Sequence, residues 1–305
     1  MEKLLFPPFL RKTDKVAIIS PSGKIDKSFL KGAEARFISW GLDPVIGKYA
    51  SASHGCYAGT VKQRLSDLQD AMDREDIKAI CCSRGGYGVV HLLDKIDFTR
   101  FIEHPKWLMG YSDITALHNL FQANGFASVH SLMARHLTVE PDSDESMLFL
   151  KDMLFGHLPQ YTVPSHKLNK RGTARGILRG GNLAVMYGLR GTPYDIPAEN
   201  TILYIEDINE RPHAVERMIY NLKLGGVLDN LSGLIIGQFT EYDEDKSLGK
   251  ELYEAIADVV KEYDFPVCFD FPVGHVTRNY PLINGAIVCL DVESKETILS
   301  FEPVV

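Results

Sequence analysis

The stretch Lys106-Trp107-Leu108-Met109-Gly110-Tyr111-Ser112-Asp113-Ile114-Thr115-Ala116-Leu117-His118 decides how the rest of the chain is read. Trp107, Leu108 and Met109 form a short apolar run after Pro105, the pattern of a buried strand end. From Ile114 to Phe121 the apolar residues recur at helical spacing. Gly110-Tyr111-Ser112-Asp113 must therefore turn the chain sharply from strand to helix, and a serine there has its hydroxyl lifted out of the sheet. Two roles fit Ser112. It can cap the helix, for which serine is a favoured residue. It can also be a nucleophile beside the positive end of the helix. The match to G-x-S-x-G is partial, because Ile114 stands where the second glycine would be.

Outward from this turn, strands and helices alternate. Val16 to Ile19 is a β-branched run of the kind buried on both faces, followed by a helical period from Asp26 to Trp40 with Gly41 as its stop. Leu42 to Ile46 reads as a second strand, Gly47 to Thr60 as an exposed loop, Val61 to Arg74 as a helix, and Ile77 to Cys82 as a strand. Ser83-Arg84-Gly85-Gly86-Tyr87-Gly88 then precedes a short helix from Val89 to Leu93. Its glycine spacing is neither that of a phosphate loop nor G-x-G-x-x-G, which leaves a tight turn or a loop aiming N–H groups at a ligand. A strand at Ser128 to His130, a loop bearing His136 and a helix from Asp144 to Phe155 complete the first half. This alternation predicts an α/β fold: an N-terminal parallel-sheet domain with flanking helices.

Gly156 to Thr173 is polar, with Pro159 and Pro164, and reads as a connection between domains. The expected division is an N-terminal domain over 1–158, a linker over 159–172 and a C-terminal domain over 173–305. The second half restarts with Arg175 to Leu183, a strand into a glycine turn and a helix. Strands follow at Thr201 to Ile205, ending at Glu206-Asp207, and at Leu234 to Gly237, with helices over 214–224 and 251–263 and a hairpin across Glu293-Ser294-Lys295. The whole reads as a second, mixed α/β domain, with the active site in a cleft between the two.

The 305 residues carry a net charge of −7, which argues against nucleic acid and anionic membrane surfaces as partners. No apolar run approaches the roughly 18 residues of a membrane span, and no secretory signal is evident. The five cysteines, without C-x-x-C spacing, fit reduced thiols in a cytoplasmic protein, with Cys81, Cys82 and Cys289 expected to be buried in strands. No Cys/His cluster has ligand spacing, so neither metal nor cofactor is expected.

A serine nucleophile needs a base, and the base needs an orienting group. Among 10 histidines, His275 stands out because it follows Gly274 in a loop after a strand. His118, six residues beyond Ser112 on one helix, points elsewhere, and His136 is a weaker rival. Glu206 or Asp207, but not both, can face the same cleft from the end of a strand. The N–H groups of Gly86 and Asp113 are the preferred oxyanion donors. Arg84 and Arg278 are candidates for gripping a substrate carboxylate.

Taken together, Ser-Arg-Gly-Gly-Tyr-Gly (83–88), Gly-Tyr-Ser-Asp-Ile-Thr (110–115), Gly-Gly-Asn-Leu (180–183), Glu-Asp-Ile-Asn-Glu-Arg-Pro (206–212) with Glu216-Arg217-Met218, and Gly274-His275 resemble the LD-carboxypeptidase family of serine peptidases. The family includes muramoyltetrapeptide carboxypeptidases and the microcin C immunity peptidases. The resemblance implies Ser112 as nucleophile, Glu206 as orienting acid, His275 as base, and Gly86 and Asp113 as the oxyanion hole. It also implies a homodimer that cleaves the bond to the C-terminal D-Ala of murein tetrapeptides in peptidoglycan recycling. One departure is His91, where family members often carry an arginine. The chain looks too short for the extra loop of the microcin branch, which favours the murein branch. The competing readings are a peptidase of peptidyl-nucleotides and a non-catalytic two-lobed binding protein.

Overall fold

A computed structural model describes residues 4–303, and the first three residues of the extended lead-in lie outside them. The described residues form two compact units: one runs up to Leu158 and takes back Tyr280–Asn284, and the other is Pro159–Asn279 with the chain from Gly285 onward.

The first unit begins with β1 (Lys15–Ile19), α1 (Lys27–Ser39), β2 (Asp43–Ile46), α2 (Val61–Asp73) and β3 (Ile77–Cys82). It continues through β4 (Trp107–Gly110), α3 (Thr115–Ala123), β5 (Ser128–His130), α4 (Ala134–Val139) and α5 (Glu145–Leu154). The helix starts are chemically specified. Asp26 accepts from the backbone N–H of Ser28 ahead of α1, and Thr60 with Gln63 forms a capping box ahead of α2. The strands pair in parallel in the order β2-β1-β3-β4-β5. Strand order therefore reverses between β1 and β3, and loops leaving the C-terminal ends of such strands are where open α/β sheets bind ligands. The Ser20–Gly23, Ser83–Gly88 and Tyr111–Asp113 segments all leave those ends.

The second unit contains β6 (Gln160–Pro164), β7 (Gly172–Asn182), α6 (Leu183–Gly188), β8 (Thr201–Ile208), α7 (Pro212–Leu224), β9 (Leu231–Thr240), α8 (Leu252–Val260) and β10 (Val267–Cys268). Then come β11 (Leu282–Asn284), which belongs to the first unit, and the hairpin β12 (Ile287–Val292) and β13 (Glu296–Phe301). Its sheet runs β10-β9-β8-β7-β12-β13-β6, parallel across the first four strands and antiparallel across the rest. Leu203, Ile205, Val215, Ile219, Leu234 and Ile256 are among the residues of its buried core, where β8 and β9 meet α7 and α8. Among the described residues no helix is long and apolar enough to cross a membrane.

Five expectations need correction. Gln160–Pro164, placed in the linker, is a strand that pairs with β13, and its alternation puts Tyr161 and Val163 inward. Leu282–Asn284, placed in the C-terminal domain, pairs antiparallel with β5 and closes the edge of the first sheet. The hydroxyl of Tyr280 donates to Glu145 Oε2 at 2.7 Å and ties this return segment to α5. His136 lies on α4 rather than in a loop. Cys81 and Cys82 are buried, but Cys289 is only half-buried, on a face of β12 that alternates with the buried one.

Gly180 and Gly181 do not make a turn. They sit inside β7 with φ of 150° and 147°, and a Cβ on Gly180 would run into the backbone carbonyl of Tyr204 on β8. Gly180→Ala combines backbone strain with a clash against main chain. It is expected to destabilise the protein by at least about 3 kcal/mol, read as a fall in the midpoint of chemical denaturation.

Candidate active site

The expected turn after β4 is present and unusually tight. Tyr111 is extended, and Ser112 has φ of 67°, a left-handed conformation uncommon for a residue with a side chain. Ser112 is not a helix cap. The N-cap positions of the 3-10 turn and of α3 are Tyr111 and Ile114, and neither start has a side-chain cap. Holding a residue in this region costs of order 1–3 kcal/mol and persists only where neighbours enforce it.

Those neighbours can be named. A Cβ on Gly85 would lie 2.6 Å from Ser112 Cβ and 2.8 Å from its Oγ, so the glycine loop presses its bare backbone against the serine. Gly86 has φ of 118° and is exposed. The carbonyl of Gly85 accepts from the N–H of Gly23, which binds this loop to the one after β1. The carboxylate of Asp113 is buried and accepts from Ser22 Oγ at 2.5 Å and from the N–H of Val89 at 3.0 Å. Burial raises its pKa, opposed by those hydrogen bonds and by the charge of Arg64.

Arg64 was not anticipated. It is 1% exposed, donates from Nη1 to the carbonyls of Pro21 and Gly88 at 2.7 Å each, and lies over the ring of Tyr57. His91 Nδ1 lies 3.3 Å from its Nη2. No helical pattern reveals a buried arginine whose partners are loop carbonyls 43 and 24 residues away. His118 is fully buried, with Nε2 on the carbonyl of Gly110 and Nδ1 on Ser128 Oγ, both at 2.9 Å. A carbonyl only accepts, so Nε2 carries the proton, and burial depresses the pKa to about 4. His118 thus braces the turn as a neutral ring. His136 sits with its ring 6.2 Å from that of Tyr111. Arg84 is exposed, and its guanidinium donates to the carbonyl of Lys24.

In the second unit the two adjacent carboxylates of β8 have separate partners. Glu206 is fully buried, and its Oε2 accepts from His275 Nδ1 at 2.7 Å. Asp207 accepts at 2.8 Å each from Asn182 Nδ2 and the N–H of Ala184, at the start of α6, and from the N–H of Ile208, the next residue of β8. Burial, and then the charge of Glu206, pushes Asp207 up to about 6. The His275 loop approaches closely because of two glycines. A Cβ on Gly274, whose φ is 134°, would meet Glu206 Oε2 at 3.1 Å, and one on Gly237 would meet the carbonyl of Val273 at 2.6 Å. Asn279 Oδ1 accepts from the N–H of Gly274 and holds the loop closed. Arg278 is exposed on the same loop. A cavity of about 600 Å³ opens beyond β8 and β9, lined by Asn209, Arg211, His213, Glu241 and Asp245 among others. Among the described residues no group of three or more His, Cys, Asp or Glu could hold a metal ion.

A carboxylate accepts only, so His275 Nδ1 carries a proton and Nε2 is left as the basic nitrogen. Burial lowers the pKa of His275, but the hydrogen bond and charge of Glu206, with Asp207 and Glu241 behind it, more than compensate, and the net shift is upward.

Residues 16–131 match the LD-carboxypeptidase N-terminal domain, and residues 175–290 match the LD-carboxypeptidase C-terminal domain. The probable murein peptide carboxypeptidase of Bacillus subtilis (strain 168) is 30% identical over 300 residues, covering 96% of this chain and 93% of its own. A crystal structure of muramoyltetrapeptide carboxypeptidase from Oxalobacter formigenes superposes with a TM-score of 0.85 at 26% identity, over 94% of this chain and 98% of that one. The microcin C7 self immunity protein MccF, in complex with aspartyl sulfamoyl adenosine, shares the fold with a TM-score of 0.86 at 23% identity, over 99% of both chains.

The charged pair with Glu206 stabilises the fold fully below the unfolded histidine value of about 6.5, and this contribution is lost as pH rises through the folded value. In an NMR titration, the His275 ring is expected to titrate above about 6.5, and at lower pH in Glu206→Gln. An unmoved titration in the variant would show that the carboxylate does not act on the ring.

Proposed function

The chain belongs to the LD-carboxypeptidase family, and from that premise we propose that it is a serine carboxypeptidase using Ser112, His275 and Glu206 to release the C-terminal D-Ala of murein tetrapeptides. It is a hydrolase of the serine-peptidase class. The observation that carries the catalytic assignment is the fully buried Glu206 carboxylate bonded to His275 Nδ1 at 2.7 Å. This carboxylate fixes the tautomer and orientation that a general base needs. The left-handed backbone at Ser112, beside a loop kept bare by Gly85, supports the nucleophile.

In this reading His275 Nε2 takes the proton of Ser112 Oγ as the serine attacks the carbonyl preceding the terminal D-residue. The N–H groups of Gly86 and Asp113 receive the developing negative charge. His275 then returns the proton to the leaving amine, and water releases the acyl group. Arg84 and Arg278 are the candidates for the free carboxylate that marks the chain end. The murein substrate is supported by what the relatives are named for, and peptidoglycan recycling in the cytoplasm by a homodimer is the setting that fits it.

Purified protein incubated with defined peptides and followed by mass spectrometry is expected to release D-Ala from a murein tetrapeptide and to leave an L,L-terminated control intact. An aspartyl-adenylate mimic should be processed far more slowly, and the reverse order would assign the protein to the peptidyl-nucleotide branch. Ser112→Ala should lose at least about 10⁴-fold in rate. Gly85→Ala, whose new methyl would lie 2.6 Å from Ser112 Cβ, should displace the serine and lose at least about 100-fold in kcat/KM.

A further inference from the structure

We infer that the Asp113 side chain is a positioning residue for the oxyanion loop, acting through Val89 and Ser22 and separately from any role of its own N–H. The inference rests on the proposed catalytic reading of Ser112. The residue after the serine is a carboxylate 5% exposed, buried where charge is unfavourable, and it is held by partners outside its own turn.

Each of those partners belongs to a segment that shapes the loop. The N–H of Val89 ends the glycine run, directly after Gly86 and Gly88, whose φ values are 118° and 119°. Glycines in this region leave the direction of a peptide N–H undetermined by local sterics. Something outside the run must set it. Asp113 Oδ2 fixes the run at its far end through Val89, and the contact of Gly85 with Ser112 fixes the near end. Ser22 completes the frame. Its hydroxyl donates to the same Oδ2, while the neighbouring Gly23 donates its N–H to the carbonyl of Gly85. One carboxylate oxygen thus joins the serine turn, the loop after β1 and the glycine loop.

A group with this task matters most when negative charge appears on the carbonyl oxygen. Loosening it should lower kcat and leave KM nearly unchanged, because the donors are used in the transition state rather than in ground-state binding. Asparagine keeps an acceptor oxygen with two lone pairs at the same position, so it should restore what alanine removes.

The experiment compares Asp113→Ala, Asp113→Asn and Ser22→Ala on a murein tetrapeptide, with Ser112→Ala as reference. The expected result is a kcat loss of about 100-fold in Asp113→Ala, with KM within about threefold. Asp113→Asn should return to within about tenfold of the parent, and Ser22→Ala should lose about tenfold, since one of the two bonds remains. Affinity for a boronic acid that adds to Ser112, and so mimics the charged intermediate, should fall in step with kcat. An unchanged kcat in Asp113→Ala would overturn the inference. If Asp113→Ala does not fold, an unchanged kcat in Ser22→Ala does so in its place. Equal losses in Asp113→Asn and Asp113→Ala would also overturn it, since charge and not the acceptor would then be the requirement. Activity persisting in Ser112→Ala would instead remove the catalytic reading itself.

Discussion

A single backbone torsion organises the first unit. Ser112 occupies a conformation that L-residues with side chains avoid, and the turn does not hold it there alone. Gly110, two residues earlier, has φ of 152°, which only glycine adopts readily, and its carbonyl is held by the neutral ring of His118. Asp113 follows and is pinned from two sides. The glycine loop leaves no side chain where the serine needs room. Local strain of this kind is sustained by the surrounding packing, and here that packing is the C-terminal edge of β1, β3 and β4.

The second unit meets an opposite difficulty. Its strained object is electrostatic: two carboxylates on consecutive residues, both withdrawn from water. They coexist because the strand period sends them to different partners. Glu206 faces an imidazole that it keeps charged more readily, and Asp207 faces the N–H of Ala184 in the first turn of α6. The register irregularity between Ile205 and Asp207 falls between these two tasks. Glycines at 237 and 274 supply the closeness that brings an entire loop, with its histidine, onto the end of β8.

Much of this was legible from residue patterns. The apolar runs of β1, β3, β8 and β9 announce buried strands, and capping residues mark the helix starts of α1, α2 and α5. The reading that only one of Glu206 and Asp207 could serve a given face followed from alternation and matches their separate partners. What stayed hidden was non-local. β6 and β11 are short, flanked by prolines or glycine, and acquire their identity only from strands more than a hundred residues away. Arg64 lies in a helix whose apolar period is complete without it, and its partners are main-chain carbonyls that sequence does not distinguish. His118 and His136 could be set apart from His275 only by position, and nothing in the residues told that His118 would be locked neutral by a carbonyl.

The return of β11 to the first sheet bears on how the chain is made. When residue 158 has been synthesised, every parallel strand of that sheet exists, but β5 still ends it with open N–H and C=O groups. The segment that covers them arrives only after residue 284, when most of the second unit has been translated. At about 5–20 residues per second, the nascent protein carries an uncovered β-edge for roughly 6–25 s. Nearly the whole chain must therefore leave the ribosome before its first half is finished. That interval is when a chaperone would have most to protect.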